Sequence, residues 1–268
     1  MLITRILTAA VLAGLFVPAL FLLPMPMWSA LCLLIIAGCA MEWAALGGLP
    51  ARWMQACYAA LIAGGALAAA LSLKAQTGWY LAASIFWVLA VPWLLRRGQV
   101  PQRPLLKLAA GILVLVPAAL AMMELRNVSP ALLLVLMAIV WISDSSAFFA
   151  GRAWGRNKLA PGISPGKTWE GVYGALAAVL VYAIICIMAW GQLVIPRWLP
   201  DGPAAVLVAA FWIALAGAGI MGDLIESLLK RMAGVKDSGT VLPGHGGLLD
   251  RVDALLPILP LSALFYLR

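Results

Sequence analysis

Long apolar segments without a charged residue recur along the chain, and they constrain the fold more than any other feature of the sequence. They cover residues 6–41, 53–73, 75–95, 108–123, 128–143, 171–196, 202–222 and 254–267. A transmembrane helix needs about 20 mostly apolar residues. The first segment is long enough for two helices, and Pro24 and Pro26 mark the break between them. The sequence therefore predicts an all-α, polytopic integral membrane protein with about nine transmembrane helices.

Composition supports this class of protein. Of the 268 residues, 65% are hydrophobic and only 10% are charged, whereas soluble domains carry about a quarter charged residues. The net charge of +8 lacks the basic stripe interleaved with aromatic residues that nucleic-acid binding requires, so no nucleic-acid partner is expected. The four cysteines show no metal-ligand or disulfide spacing. The first apolar segment lacks a small-x-small cleavage pattern, so we interpret it as a retained helix.

The distribution of basic residues predicts the orientation. If the N-terminus is cytoplasmic, most of the 18 lysines and arginines fall on the cytoplasmic side. The outer side then holds only Lys74, Arg126, Arg197 and Arg268. Because cytoplasmic loops of membrane proteins are enriched in lysine and arginine, this bias predicts an N-in, C-out topology. A bacterial-type cytoplasmic (inner) membrane is the expected location.

Two cytoplasmic loops, residues 144–170 and 223–253, differ from the other connections. They carry seven of the ten acidic residues, namely Asp144, Glu170, Asp223, Glu226, Asp237, Asp250 and Asp253. We therefore expect one continuous membrane domain with two functional parts. Residues 1–126 would form about five helices that serve as a lipid-facing scaffold. Residues 127–268 would carry the catalytic helices and both loops.

The second loop places carboxylates where a cation could bind. The preceding helix is expected to continue to about Met232 and to stop near Gly234. On that helix Asp223 and Ser227 are four residues apart and share a face, and Asp250 and Asp253, three apart, would share a face of the last helix. Magnesium takes one or two carboxylates and leaves positions for water and phosphate oxygens.

A simpler interpretation is that these carboxylates neutralise neighbouring lysines and arginines at helix ends. However, only about 14 apolar residues follow Asp253, or roughly 21 Å of helix. That length is short for a hydrocarbon core of about 30 Å, so Asp250 and Asp253 would lie below the membrane surface. Ionisable groups at that depth are costly and usually face a functional cavity.

Glycines and basic residues around the carboxylates favour phosphate binding. The glycines between the two helices let backbone N–H groups surround an anion. In the first loop, Lys167 and Thr168 are placed at the start of the next helix, where backbone donors favour phosphate. No strand is expected before this segment, and its glycine spacing does not fit a P-loop, so a P-loop fold is excluded.

Two segments resemble those of a known family. Residues 227–253, SLLKRMAGVKDSGTVLPGHGGLLDRVD, and residues 164–171, SPGKTWEG, are similar to the conserved segments of phosphatidate cytidylyltransferases (CDP-diacylglycerol synthases). The resemblance implies that CTP and phosphatidic acid react to give CDP-diacylglycerol and pyrophosphate. Members of that family usually have glycine and tyrosine where this chain has Ser146 and Phe148. That departure affects the first loop and not the carboxylates of the second.

The resemblance and the charge pattern together assign the site residues. The predicted catalytic residues are Asp223, Ser227, Lys230, Arg231, Lys236, Asp237, His245, Asp250, Arg251 and Asp253. The predicted substrate-binding residues are Asp144, Arg152, Lys158, Ser164, Lys167, Thr168, Glu170, Gly244, Gly246 and Gly247. By resemblance, the metal ligands are Asp223, Asp250 and Asp253, and the cofactor is Mg²⁺. The expected partners are CTP, phosphatidic acid and the lipid bilayer, while a second cation and a homodimer are left open.

Two other functions fit parts of the sequence. One is a cytidylyltransferase that acts on another lipid phosphate, because nothing in the sequence identifies the acyl chains. The other is an ion-coupled secondary transporter that uses the acidic residues as ion ligands. Transporters often show internal repeats and polar sites near the midplane, whereas this chain shows no repeat and its polar residues gather on one side.

Overall fold

The fold is a bundle of helices with one small hairpin. The structure, a computed structural model, describes residues 11, 14–72, 76–200, 202–241 and 246–267. Residues 14–22 are helical. The further elements are α1 (Met25–Leu46), α2 (Arg52–Leu71), α3 (Gln76–Arg97, with a π-turn at Phe86–Ala90), α4 (Pro104–Val128), α5 (Pro130–Trp154), β1 (Lys158–Ala160), β2 (Ser164–Thr168), α6 (Trp169–Val194), α7 (Ala204–Met232), α8 (Leu249–Val252) and α9 (Leu255–Tyr266).

The helices confirm the predicted class of all-α, polytopic membrane protein. Within the described residues, the seven helices from α1 to α7 are long and apolar enough to cross a membrane. Helix α9 is shorter, at 12 residues. The first predicted span lies partly outside the described residues. The predicted segment boundaries agree with the structure most closely at α7, which ends at Met232 and is followed by Gly234 with a φ of 72°.

Prolines and a serine set the starts of several helices. Helices α1, α4 and α5 each begin with a proline in the first two positions, where no intrahelical N–H bond is lost. The Ser129 hydroxyl accepts a hydrogen bond from Leu132 N at 3.2 Å and caps α5. These local signals explain why α4 and α5 are separate helices although they are nearly continuous in sequence.

A hairpin in the loop between α5 and α6 was not predicted. Strand β1 pairs with β2 in antiparallel fashion, with Lys158 opposite Thr168. Pro161 and Gly162 occupy the turn, and Ile163 N donates to Ala160 O at 3.1 Å. Proline is favoured at the second position of such turns, and this accounts for the hairpin. The expectation that no strand precedes this segment is therefore wrong, although an antiparallel hairpin is not a P-loop.

Helix α9 lies inside the bundle, where it packs against α3, α4 and α7. It is apolar on all sides, as a helix surrounded by other helices must be. A turn at Asp253 and Ala254 separates it from α8, because Pro257 lacks an N–H and its ring clashes with the carbonyl of Asp253 four residues earlier. We predicted a single last helix that presents Asp250 and Asp253 together, whereas the structure divides this segment after Asp253, whose N–H still donates to Leu249 O at 3.0 Å.

Candidate active site

A polar cleft brings the two predicted loops together. Its volume is about 460 Å³, and its walls come from α5, the hairpin, α6 and α7. Predicted site residues that line this polar cleft are Asp144, Arg152, Ser164, Lys167, Thr168 and Asp223. The cleft therefore combines carboxylates with basic side chains, which is the composition expected of a site for phosphates and a cation.

An ion pair joins the two loops across the polar cleft. Lys167 Nζ on β2 lies 2.6 Å from Asp223 Oδ2 on α7, and the two side chains are 26% and 33% exposed. Ser227, one turn after Asp223, donates a hydrogen bond to its other oxygen at 3.2 Å. Because a partly exposed ion pair is worth at most about 1 kcal/mol, Lys167 can exchange this carboxylate for a substrate phosphate at little cost.

The start of α6 fixes the position of Lys167. The Thr168 hydroxyl accepts a hydrogen bond from Gly171 N at 3.2 Å and caps the helix, at whose start the sequence placed it. A Cβ atom on Gly171 would lie 2.9 Å from Ala147 O on α5. The close approach of α5 and α6 at this glycine brings Asp144 and Thr168 to the same cleft.

Asp253 lies against α7 beside Asp223. A Cβ atom on Gly222 would be only 2.4 Å from Asp253 O, so the backbones meet where Asp223 follows. Burial raises the pKa of the Asp253 carboxyl, and the charges of Asp223 and then Asp144 raise it further. Three carboxylates thus act on one another near the cleft.

This donor set fits a hard divalent cation. Magnesium is bound through one or two carboxylates together with substrate phosphates, and Asp223 and Asp253 supply that number of carboxylates. In the part of the chain that the structure describes, no group of three or more histidine, cysteine, aspartate or glutamate side chains is arranged to hold a metal ion. The predicted set of Asp223, Asp250 and Asp253 remains a prediction.

Asp250 has different neighbours from Asp253. Its carboxylate accepts hydrogen bonds from Lys230 Nζ at 2.5 Å, Ser238 N at 2.9 Å and Gly247 N at 2.8 Å. Burial alone would raise the pKa of this carboxyl, but Lys230 and the backbone donors outweigh it and lower the pKa to about 2. Lys230 also donates to the buried Glu226 at 2.7 Å. Asp250 therefore ties the glycine-containing loop to α7.

Glu42 on α1 was not among the predicted site residues. This buried side chain accepts hydrogen bonds from Leu248 N at 2.9 Å, Leu249 N at 2.8 Å and the Ser238 hydroxyl at 2.8 Å. The same hydroxyl contacts Asp250 at 3.0 Å. Glu42 thus holds both ends of the loop that carries Asp250. Glu42 directly follows the long charge-free segment of residues 6–41, and such an isolated acidic residue could have indicated a functional contact. It was not considered because α1 was assigned to the scaffold.

Other predicted site residues lie outside the polar cleft. Arg231 donates to Ile163 O at 3.4 Å and joins α7 to the hairpin. Glu170 accepts hydrogen bonds from the backbone and side chain of Asn157. Exposed positions are occupied by Lys158, Lys236 and Asp237. Gly246 has a φ of 80° and packs against Asp250, and Gly247 donates to it. Gly244 and His245 lie outside the described residues.

Fold and site together define a polytopic membrane protein with a cleft that combines basic side chains and carboxylates. The chain belongs to the cytidylyltransferase family, whose sequence model matches residues 3–267. A protein of Pseudomonas aeruginosa named phosphatidate cytidylyltransferase is 36% identical over 274 residues, which cover 98% of this chain and 96% of that protein. Proteins of the same name from Haemophilus influenzae and Bacillus subtilis are 40% identical over 173 residues and 43% identical over 122.

These two alignments are more limited in extent. The Haemophilus influenzae alignment covers 62% of this chain and 58% of that protein, and the Bacillus subtilis alignment covers 46% and 42%. Family membership extends over nearly the whole chain and supports an enzyme rather than the ion-coupled transporter considered from the sequence. The resemblance seen in residues 164–171 and 227–253 is thereby confirmed at the level of the family.

Proposed function

We propose that this protein transfers the cytidylyl group of CTP to phosphatidic acid and so produces CDP-diacylglycerol and pyrophosphate. Its family is that of cytidylyltransferases, and the relatives named above are phosphatidate cytidylyltransferases. The structural observation that carries the proposal is the meeting of Lys167 and Asp223 in one cleft. Both substrates carry phosphate groups. In this pair, the Lys167 ammonium group can bind a phosphate, and the Asp223 carboxylate lies beside it.

In the proposed reaction an oxygen of the lipid phosphate attacks the α-phosphorus of CTP. The bond from that phosphorus to the oxygen of the β-phosphate breaks, and pyrophosphate leaves with the bonding electrons. A phosphate monoester has a second pKa of about 6, so the nucleophile is already anionic at neutral pH. The protein therefore needs no strong base, and its task is to orient two anions that repel each other.

Basic side chains of the polar cleft would perform this orientation. Lys167 is held by β2 and Arg152 by the last turn of α5, so both stand on ordered elements beside the start of α6. Their positive charges would bind phosphate oxygens and reduce the repulsion between the substrates. Asp223 on α7 pairs with Lys167 and would keep it in place before substrate binds, and Asp144 on α5 lines the same cleft.

Magnesium is the cofactor we propose, with Asp223 and Asp253 as its protein ligands. A bound divalent cation neutralises charge on phosphate oxygens and aligns an in-line displacement. The support for this assignment is that the charge of Asp223 acts on the Asp253 carboxyl and that the Asp253 backbone meets α7 at Gly222, next to Asp223. Asp250 could join them only if Lys230 and the Ser238 backbone released it. A second cation remains a prediction.

We further propose a bacterial cytoplasmic (inner) membrane as the location, with the site on the cytoplasmic face. The support is the bias of lysine and arginine toward the loops that share a side with the polar cleft. This arrangement lets CTP reach the cleft from the cytosol while the lipid remains in the bilayer. A homodimer remains a prediction.

Transfer of a cytidine label tests the proposal. Purified protein is incubated with phosphatidic acid, Mg²⁺ and CTP labelled in the cytidine, and label in the lipid phase is counted. We expect transfer by the wild type and a loss of at least about a hundredfold in Asp223→Asn or without Mg²⁺. Glu124→Gln is the matched control, because Glu124 contacts Tyr80 near the far end of α9.

The outcomes separate the reaction from the site. A well-folded wild type that transfers no label to phosphatidic acid would refute the reaction, and lipid phosphates with other backbones would then be tested. Transfer that survives Asp223→Asn at the wild-type rate would retain the reaction and remove Asp223 from the site. Equal losses in Asp223→Asn and Glu124→Gln would point to a general loss of folding.

A further inference from the structure

A second cavity lies between the N-terminal helices and α9. This apolar cavity has a volume of about 440 Å³, within the usual range of about 300–1,000 Å³ for ligand pockets. Its walls come from the helical residues 14–22 and from α1, α4, α5, α8 and α9. Of the described residues that line it, Arg251 alone is charged. The apolar cavity is therefore a hydrophobic chamber with one cationic group.

The charged end of the apolar cavity adjoins the polar cleft. Arg251 lies close enough to Asp144 for its charge to act on that carboxylate, and Asp144 lines the polar cleft. Trp141, one helical turn before Asp144 on α5, lines the apolar cavity and is 48% exposed. The cavity thus reaches the surface of the bundle beside Trp141 and meets the cleft at Arg251.

The size and chemistry of the apolar cavity select its occupant. The cavity is partly open beside Trp141 and is large enough to admit a ligand. Water needs two to four polar partners, which the hydrophobic walls do not provide. The remaining walls run along α9 from Leu255 to Leu259, and they suit a flexible hydrocarbon chain.

We propose that the apolar cavity holds an acyl chain of the phosphatidic acid substrate, with Arg251 at the head-group end. This assignment rests on the proposed function, and it adds the location of the lipid. The lipid phosphate would lie between Arg251 and the polar cleft, beside Lys167. The lipid tails of the bilayer are as apolar as the cavity walls, so the hydrophobic effect does not favour moving an acyl chain from the bilayer into the cavity. The binding free energy would come from packing contacts with the walls and from the phosphate held by Arg251.

Filling the cavity from α4 tests this placement. Ala118 lines the cavity and is buried, so Ala118→Phe would project a ring into it. We expect KM for long-chain phosphatidic acid to rise by about tenfold or more, the fold-change that corresponds to an overpacking cost of about 1.4 kcal/mol. A water-soluble short-chain phosphatidic acid should be used within about twofold of the wild-type rate. Ala109→Phe, at an exposed position of the same helix, is the matched control.

A second measurement needs no substitution. Long-chain phosphatidic acid with a photoactivatable diazirine in its acyl chain is bound to the wild-type protein in lipid nanodiscs, and the labelled peptides are sequenced. We expect labels within α9, around Leu255 to Leu259, and in the facing part of α1. The label should be lost from these peptides in Ala118→Phe and retained in Ala109→Phe.

The two assays distinguish this inference from the proposed function. If the lipid probe labels the cavity of the wild-type protein but the protein transfers no cytidylyl group, the proposed reaction is refuted and the acyl-chain site is supported. Transfer without labelling of α9 would refute the acyl-chain site, as would a cavity filled by residues 1–10 of this chain. Equal losses of long-chain and short-chain activity in Ala118→Phe would also overturn it, because they would show a general distortion.

Discussion

Removing the carboxylate of Glu42 tests whether α1 positions the loop that carries Asp250. In Glu42→Ala, the Leu248 and Leu249 N–H groups would lose their acceptor at 2.9 and 2.8 Å, whereas the Ser238 hydroxyl keeps Asp250 as an acceptor. An unsatisfied buried donor costs about 1–3 kcal/mol. The two N–H groups together should cost about 2–5 kcal/mol.

Two consequences of that cost can be measured. The midpoint of thermal unfolding should fall by roughly 10 °C for a chain of this size. If the loop instead shifts while the bundle stays folded, a cost of about 3 kcal/mol should lower kcat by about a hundredfold. Glu42→Gln keeps one acceptor oxygen and replaces the other with an amide NH₂, so its effect should be intermediate.

The assay combines thermal unfolding in detergent with the transfer of labelled cytidine to lipid. Glu124→Gln is again the control, because Tyr80 can donate to an amide oxygen as it does to the carboxylate at 2.8 Å. A Glu42→Ala protein with the wild-type midpoint and the wild-type kcat would refute the reasoning. It would show that the loop keeps its position without α1.

Three further substitutions separate binding, packing and charge. Lys167→Ala should lower cytidylyl transfer by at least about tenfold while changing the unfolding free energy by less than about 1 kcal/mol, because its ion pair is partly exposed. Transfer assays and thermal unfolding check the two halves of that prediction. Gly222→Ala should cost about 1–3 kcal/mol, since its Cβ would meet Asp253 O at 2.4 Å. In contrast, Gly217→Ala on the same helix, with nothing within 4 Å, should be neutral or stabilising. Asp250→Asn should be less stable than the wild type at neutral pH, because a pKa of about 2 marks an ionised form that the fold stabilises. That stabilisation is present above about pH 4 and is lost toward pH 2, so the gap in unfolding free energy should narrow in that window and stay constant from pH 5 to 8.

Features that depend on neighbouring residues were predicted from the sequence. The apolar segments gave the transmembrane helices, and Gly234 marked the end of α7. Lys167 and Thr168 were placed correctly near the start of α6, but the capping role of Thr168 was not predicted. Both loops were assigned to the same side of the membrane, but the ion pair between Lys167 and Asp223 was not predicted.

Features that depend on distant residues were not predicted. Glu42 contacts Ser238 across 196 positions of sequence, and no periodicity or spacing reports such a pairing. Asp250 and Asp253 were expected to act together because they are three residues apart, but each meets partners from other parts of the chain. Asp250 joins Lys230 and Ser238, whereas the backbone of Asp253 lies beside Gly222. The hairpin was not predicted, although Pro161 and Gly162 are typical of a turn. Only the charged residues of that loop were used in the prediction.

The contact between Glu42 and its loop has a consequence for how the protein is made. The chain carries Glu42 into the membrane long before the ribosome has synthesised Leu249, which lies 207 residues later. At about 5–20 residues per second, this interval is roughly 10–40 s. Throughout that time the Glu42 carboxylate lacks the hydrogen-bond donors that it has in the folded protein, so the packing of α1 can be completed only after the loop has been synthesised. One of the first helices to be made therefore reaches its final packing only when one of the last segments is present.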